Sequence, residues 1–180
     1  MRGVKTVMSS QRPHPRGRWP LLATGLGLVV LVAPLLLDPA PRLVWNATAS
    51  APVGLWRVRP GAMVGVGDTV LAWAPPPARR FAAARGYLPA NVPMIKTVAA
   101  AQGDVVCAFE ASILVNGKVV ALRRSADLHG RALPWWRGCQ ILDTGAVMLL
   151  NSTPDSFDGR YFGAVEKAAV IGEATPLWLP

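Results

Sequence analysis

The chain has 180 residues, of which 52% are hydrophobic and only 16% are charged, a composition that excludes an extended disordered protein and predicts one folded core with a short appendage. The formal net charge of +9 is uneven, because the first 18 residues hold five basic side chains and no acidic one. These basic residues border an apolar run and form no patch with groove-entering elements, so we expect no nucleic-acid partner.

The first predicted element is an uncharged run of 19 residues, 19–37. As a helix it would extend roughly 28 Å, close to the thickness of the hydrocarbon layer of a bilayer. Basic residues precede the run and Asp38 follows it, so the positive-inside rule places the N-terminus in the cytoplasm and exports the rest. We therefore predict a cytoplasmic basic segment at 1–18, a transmembrane anchor at 19–37 in the inner membrane and a periplasmic domain at 38–180, with the lipid bilayer as a partner.

A cleavable signal peptide is the alternative interpretation of this segment. Its support is Ala47-Thr48-Ala49, which has the small-x-small form of a cleavage site. Against it, the apolar run is longer than the core of an ordinary signal peptide, and the motif lies about ten residues beyond the end of the run. A retained anchor is favoured.

Beyond the anchor, apolar runs of four to eight residues are interrupted by Gly, Pro and Asp, which is typical of short strands. Asn116-Gly117 favours the positive φ angles of a tight hairpin turn. One short helix is predicted at 78–87 and a loop at 125–138. The loop contains Trp135-Trp136, a pair suited to a bilayer interface or to the core. We predict a mainly β fold, a partly closed antiparallel sheet or barrel, with strands at 43–48, 55–58, 69–73, 94–99, 104–109, 112–115, 118–122, 146–150 and 168–174.

Two cysteines, Cys107 and Cys139, fall in the exported part of the chain. In an oxidising compartment an even pair predicts one disulfide, with two buried free thiols as the alternative. Two cysteines without a neighbouring histidine do not supply the four ligands of a structural zinc site, so we expect no metal and no cofactor.

A serine hydroxyl attacks a carbonyl only when a neighbouring base accepts its proton, and the usual base is histidine. The chain has only two histidines, His14 in the basic segment and an isolated His129. A lysine can replace histidine when burial lowers its pKa from about 10.4. Lys96 is the only lysine in a long apolar, strand-like segment, a setting that also fits a lysine at a sheet edge. Together with Ser50, which lies a short distance beyond the anchor, it indicates a membrane-anchored peptidase.

Three sequence blocks carry a family resemblance. The first, 48–56, reads TASAPVGLW; the second, 95–106, holds IKTV followed by GDVV; the third, 155–163, reads DSFDGRYFG. In this order they resemble the signal peptidase I superfamily, peptidase family S26, whose members use a Ser-Lys dyad. The closest resemblance is to its conjugative-transfer branch, the TraF-type pilin-maturation peptidases. Ala51 follows Ser50 where housekeeping secretory enzymes have methionine, which favours this branch.

The resemblance implies a role for each matching residue. Ser50 is expected to be the nucleophile, with its backbone N–H as one oxyanion donor, and Lys96 the general base. Thr48 is a candidate second oxyanion donor. Asp158 and Arg160 are expected to form a pair that supports the lysine strand, and Asp158 also matches an acidic position reported as functionally important in this branch.

The function implied is that of a membrane-anchored serine endopeptidase that cleaves exported precursors after a small residue. In the conjugative branch the precursor is a pilin subunit, and the acyl-enzyme can be passed to the amino terminus of the pilin to give a cyclic product. The alternatives are a general type I signal peptidase and a non-catalytic anchored scaffold of a conjugation or secretion apparatus. A self-cleaving repressor-type Ser-Lys peptidase shares the dyad but is disfavoured by the apolar segment.

Overall fold

The computed structural model describes residues 18–37 and 39–180, so Asp38 and nearly all of the predicted basic segment lie outside the described residues. The chain divides into two compact units, Met1–Pro39 and Ala40–Pro180. In its described part the first unit is helix α1, Trp19–Leu37, which occupies the residues predicted as the anchor. Within the described ranges, no helix was found to combine the length and apolar character of a membrane span. Membrane insertion of this segment stays a prediction.

The second unit is built mainly from antiparallel strands, as predicted. Two short α-helices and one 3₁₀ turn, Lys167–Ala169, lie between the strands. In chain order the elements are β1 (Leu43–Asn46), β2 (Gly54–Pro60), β3 (Thr69–Ala72), α2 (Pro76–Ala84), β4 (Met94–Ala100), β5 (Val105–Phe109), β6 (Ser112–Val115), β7 (Lys118–Leu122), β8 (Gly138–Ile141), β9 (Ala146–Leu150), α3 (Gly159–Phe162), β10 (Val165–Glu166) and β11 (Val170–Trp178).

The larger sheet has seven strands in the order β1-β2-β11-β3-β4-β9-β10, and each pairing is antiparallel. Its two edge strands, β1 and β10, do not pair with each other in the described structure, so the sheet curls into an open half-barrel. Near its middle, Val70 of β3, Val98 of β4 and Leu149 of β9 pack into one buried cluster. Strand β4 is therefore covered by apolar neighbours along its length, and any polar side chain that it directs inward is removed from water.

The smaller sheet has the order β7-β6-β5-β8. Its inner face joins the larger sheet in one cluster, in which Val106 and Ile113 pack with Ala100 and Met148. The predicted hairpin is confirmed between β6 and β7, and both turn residues adopt positive φ, 49° at Asn116 and 77° at Gly117. A disulfide between Cys107 and Cys139 joins β5 to β8, so the predicted disulfide is confirmed and the free-thiol alternative is wrong.

Several predicted bounds differ from those observed, and three elements, β8, α3 and β10, were missed. Helix α2 begins at Pro76, two residues before the predicted start, because proline is tolerated in the first turn of a helix. Strand β1 ends at Asn46, whose side chain turns the chain away from the sheet. Strand β8 and the single turn α3 were not predicted, since β8 is exposed at all four positions and shows no alternation of apolar and polar residues.

The loop with Trp135 and Trp136 is tied to the rest of the domain by both indoles. Trp136 packs against the cluster that joins the two sheets and donates from Nε1 to the carbonyl of Gly159 at 3.0 Å. Trp135 donates to the carbonyl of Arg124 at 3.0 Å, and the guanidinium of Arg123 lies 4.2 Å from its ring centroid. Of the two interpretations of this pair, the core role is confirmed for Trp136.

Candidate active site

Ser50 lies in a tight loop of residues 47–53 that follows β1, and we call this segment the Ser50 loop. Asn46 organises the loop through its amide group, whose Nδ2 donates to the carbonyls of Thr48, Ala51 and Pro52 at 2.9 to 3.0 Å. Its Oδ1 accepts from the backbone N–H of Thr48 at 3.2 Å and from the Thr48 hydroxyl at 2.9 Å. One buried asparagine thus fixes the conformation of the loop, and it leaves Ser50 half-buried.

The hydroxyl groups of Thr48 and Ser50 lie side by side, with 3.2 Å between Oγ1 and Oγ. Since the Thr48 proton points toward Asn46 Oδ1, its hydroxyl is free to accept a hydrogen bond from Ser50 in this arrangement. The structure therefore brings the two predicted hydroxyls together and orients Thr48 through Asn46.

Lys96 is directed inward from β4 and is only 2% exposed. Its Nζ donates a hydrogen bond of 2.7 Å to Oγ of Ser156, which is also fully buried. Burial lowers the pKa of Lys96 from 10.5 to about 8, the negative charge of Asp158 opposes this change, and the positive charge of Arg160 adds to it. Lys96 is therefore not the edge lysine that the sequence also allowed, and its pKa lies within reach of neutral pH.

Ser50 and Lys96 line one cavity of about 700 Å³. No hydrogen bond joins Ser50 Oγ to Lys96 Nζ in the described part of the chain. Asn151, which directly follows β9, holds their backbones together, because its Nδ2 donates to the carbonyl of Ser50 at 2.6 Å and to that of Ile95 at 3.1 Å. Thr153 adds a longer hydrogen bond of 3.3 Å to the same Ser50 carbonyl. The Ser50 loop is thus anchored next to the residue that precedes Lys96.

Asp158 and Arg160 form the predicted pair, with both side chains almost fully buried and 2.8 Å between Oδ1 and Nε. Asp158 also caps α3, since its side chain accepts from the backbone N–H of Arg160. Both partners hold Asn151: Asp158 Oδ2 accepts from its N–H at 3.0 Å, and Arg160 Nη2 donates to its carbonyl at 2.5 Å. The support that the pair gives to the lysine strand therefore passes through Asn151.

Three residues that the sequence interpretation did not assign to the site are central to it: Asn46, Asn151 and Ser156. Asn46 is the last residue of β1, Asn151 directly follows β9, and Ser156 lies within the third sequence block. A polar residue that ends an apolar run, as Asn151 does after β9, is the signal that could have identified it.

The cavity is also lined by residues of α2 and of the segments 85–89 and 124–133, and the last two contact each other through Asp127. This carboxylate accepts hydrogen bonds from the Tyr87 hydroxyl and from Arg131 Nε, the latter at 2.7 Å, and lies 3.7 Å from Arg85. Burial alone would raise the pKa of Asp127, but these hydrogen bonds hold it well below its usual range, so the group is charged. Phe157 also lines the cavity, and its ring stacks on those of Phe81 and Tyr161, with centroid distances of 5.5 and 5.7 Å.

Among the described residues, no group of three His, Cys, Asp or Glu side chains is arranged to hold a metal ion. The cavity is instead lined by Thr48 and Ser50, which carry hydroxyl groups, and by Lys96, whose amine has a lowered pKa. This set is suited to acyl transfer, in which the amine removes a proton from the hydroxyl and N–H groups receive the oxyanion.

The chain is similar to signal peptidases and to plasmid transfer proteins. A family model described as signal peptidase, peptidase S26, matches residues 17–179. The plasmid transfer protein TraF of Escherichia coli is 35% identical over 144 residues, which cover 73% of this chain and 80% of the relative. The probable conjugal transfer protein TraF of Sinorhizobium fredii is 37% identical over 147 residues, which cover 72% of this chain and 73% of the relative.

Among solved structures, signal peptidase I of Enterococcus faecalis is 18% identical, and the match covers 63% of this chain and 98% of that chain with a TM-score of 0.37.

Proposed function

We propose that this chain is a serine endopeptidase with Ser50 as nucleophile and Lys96 as general base. The chain belongs to the signal peptidase family, peptidase S26, and to its TraF-type branch. The observation that carries the proposal is that a half-buried serine and a buried lysine with a lowered pKa line the same cavity. Family membership supports peptidase chemistry in general, and the dyad is our assignment.

The lysine must be neutral to accept a proton. With a pKa of about 8, about a tenth of the molecules carry a neutral Lys96 at pH 7. A neutral amine that donates one N–H to Ser156 keeps its lone pair for the hydroxyl proton of Ser50. Lys96 Nζ and Ser50 Oγ must approach each other for this transfer, and such contacts commonly tighten only when substrate binds.

After proton transfer, Ser50 Oγ attacks the carbonyl carbon of the scissile bond. The backbone N–H of Ser50 receives the oxyanion, and the hydroxyl of Thr48 can join it by turning its proton away from Asn46. The protonated Lys96 then gives its proton to the departing amine, which leaves an acyl-enzyme on Ser50. Asp158 acts in this scheme as a positioning residue, because it contacts Asn151 and Arg160 and forms no hydrogen bond with Lys96 in the described structure.

The substrate in this proposal is an exported precursor cut after a small residue. The names of the relatives, plasmid transfer and conjugal transfer proteins, support a role in conjugation, and the precursor in this proposal is pilin-like. Water or the amino terminus of the pilin then resolves the acyl-enzyme, giving a linear or a cyclic product.

The proposed location is the inner membrane, with residues 19–37 as the anchor and the β domain in the periplasm. The support is the uncharged sequence of this segment and the basic residues before it. Because only 12 residues separate Leu37 from Ser50, the nucleophile would stay close to the bilayer surface where precursors emerge.

The test is precursor processing in membranes by the variants Ser50→Ala and Lys96→Met, each compared with a matched variant of an exposed residue, Ser152→Ala and Lys118→Met. We expect each site variant to lose at least about a thousandfold in rate and the matched variants to process normally. Normal processing by either site variant would refute the dyad.

Two further measurements separate the remaining alternatives. A serine-reactive penem should label the wild-type chain and leave Ser50→Ala unlabelled. Mass spectrometry of the processed pilin distinguishes hydrolysis from cyclisation, because the cyclic product is lighter by one water. Processing of ordinary secretory precursors at the same rate as pilin would favour a general type I signal peptidase.

A further inference from the structure

Arg79 stands out among the charged side chains that line the cavity, because it has no partner. It lies on α2 and lines the same cavity as Ser50 and Lys96, and its Nε is buried without a hydrogen bond to any described residue. In the described part of the chain, the side chain of Arg79 forms neither a hydrogen bond nor an ion pair. Its guanidinium carbon lies 5.2 Å from the centroid of the Trp73 ring. This cation–π contact fixes the direction of the Arg79 side chain.

The sequence of α2 explains why Arg79 is unpaired. The helix reads PPARRFAAA and contains no acidic residue, and the positions three and four residues away hold only proline and alanine. The nearby carboxylates of the cavity have other partners. Asp155 pairs with Arg124 at 3.0 Å, and Asp127 pairs with Arg131 at 2.7 Å.

An arginine in this state is suited to a carboxylate. A buried donor without an acceptor is unfavourable, and native structures rarely keep one without a reason. The guanidinium presents Nε and a terminal nitrogen along one edge, which matches the two oxygens of a carboxylate. Inside a cavity with apolar walls such as Leu88 and Met94, this interaction is stronger than it would be in water.

We propose that Arg79 binds a carboxylate of the peptide substrate and thereby makes the cavity selective for a chain that carries a negative charge near the scissile bond. This inference rests on the proposed function, because it assumes that a peptide occupies the cavity. Two groups supply such a carboxylate, an acidic side chain or the free C-terminus of a precursor that is cut close to its end. Both share the same chemistry at Arg79.

The experiment measures peptide binding by the full-length chain in detergent micelles, in the Ser50→Ala background so that no turnover occurs. The probes are fluorescent peptides with an Ala-x-Ala site, in three forms: a neutral peptide amide, the same peptide with a free C-terminal carboxylate, and the amide with one glutamate placed in turn at each position flanking the site. Fluorescence anisotropy gives the dissociation constants.

We expect at least one carboxylate peptide to bind about tenfold more tightly than the neutral amide, and Arg79→Gln to abolish this difference. Which peptide shows the gain identifies the source of the carboxylate. Arg80→Gln is the matched control, since Arg80 is the exposed neighbour on the same helix and lies outside the cavity. Arg79→Lys keeps the positive charge but lacks the planar edge, so it should retain only part of the preference for the carboxylate peptide. This variant replaces Arg79→Gln in the test if Arg79→Gln does not fold.

Equal binding of all peptides, absence of binding, or an unchanged preference in Arg79→Gln would overturn the inference. Cleavage of the same peptides by chains that retain Ser50 tests the proposed function separately. A preference without cleavage would refute the peptidase and leave Arg79 as a carboxylate site, whereas cleavage without a preference would refute the role of Arg79 alone.

Discussion

The two sheets of the domain are stabilised in different ways. In the larger sheet, β4 and the segment after β9 bury a lysine, a serine, an aspartate and an arginine at 2% exposure or less, and these side chains form two hydrogen-bonded pairs, Lys96 with Ser156 and Asp158 with Arg160. In the smaller sheet, β7 and β8 are largely exposed, and stability comes from a hairpin turn, one apolar face and a disulfide.

This contrast shows that the larger sheet is the part of the domain that buries charged and polar side chains, which is unfavourable unless they are paired. A charged or amine group inside the larger sheet lowers stability unless its partners are in place, and this is the setting that brings the pKa of Lys96 to about 8. The smaller sheet contributes no strand residue to the cavity. We therefore expect changes in the larger sheet to affect stability and chemistry together, and changes in the smaller sheet to affect stability alone.

The largest effect is expected from breaking the buried pair of the larger sheet. Asp158→Asn leaves the guanidinium of Arg160 buried without a counter-charge, so the free energy of unfolding should fall by about 3 to 5 kcal/mol. Urea unfolding of the detergent-solubilised chain measures the change. The control is Glu173→Gln, which breaks an ion pair with Arg59, a residue whose side chain is 61% exposed, and should cost less than about 1 kcal/mol. Equal losses in the two variants would contradict the contrast.

Removing the disulfide tests the smaller sheet. The double variant Cys107→Ser/Cys139→Ser should lower the free energy of unfolding by about 2 to 4 kcal/mol, because the unfolded chain is no longer constrained. Peptide cleavage at 25 °C should stay within about twofold of wild type, since the strands that it joins do not line the cavity. A large loss of cleavage by a chain that is still folded would show that the two sheets are coupled.

The lowered pKa of Lys96 predicts a pH dependence of stability. Between about pH 8 and 10.5 the unfolded chain holds a proton on Lys96 that the folded chain has released, so raising the pH favours the folded state. The free energy of unfolding of wild type, relative to Lys96→Met, should rise by about 1.4 kcal/mol per pH unit in this window and be constant below it. Parallel curves for the two proteins would show that the pKa is not lowered.

If Lys96 is the general base, the same pKa controls the reaction. The rate of cleavage should rise about tenfold per pH unit up to pH 8 and level off above it. A plateau that extends well below pH 8 would assign the base to another group.

The smallest effect is expected at Ser156, which orients the lysine. Ser156→Ala removes the acceptor of the Lys96 hydrogen bond and should lower kcat about tenfold with KM nearly unchanged. Ser156→Thr keeps the hydroxyl and should restore most of the rate, and the exposed Ser152→Ala should have no effect. An equal loss in the alanine and threonine variants would indicate a packing role.

Much of this fold follows from local patterns in the sequence. Short apolar runs bounded by Gly, Pro and Asp locate β4 and β9, Asn116-Gly117 locates the hairpin, and the third sequence block contains the Asp158–Arg160 pair. Each of these features depends on residues that are close in sequence, so the spacing of those residues is enough to predict the feature.

The features that the sequence did not reveal depend on residues that are far apart. Lys96 and Ser156 are separated by 60 positions, and the Asn151 amide reaches Ser50 across 101 positions. A hydrogen bond from a side chain to a distant carbonyl produces no periodic pattern in the sequence. A single sequence therefore does not distinguish such a residue from any other polar residue that follows a strand. Strand β8 was missed for a related reason, since its pairing with β5 is secured by the disulfide rather than by an apolar pattern.

The position of Asn151 also has a consequence for biosynthesis. The ribosome makes Ser50 and Lys96 in the first part of the chain, whereas Asn151, Ser156 and Asp158 emerge near the end. A nascent chain that stops before Asn151 therefore has both reactive groups and nothing that holds them together. The order of synthesis therefore delays the assembly of the cavity around Ser50 and Lys96 until the segment that follows β9 has been made.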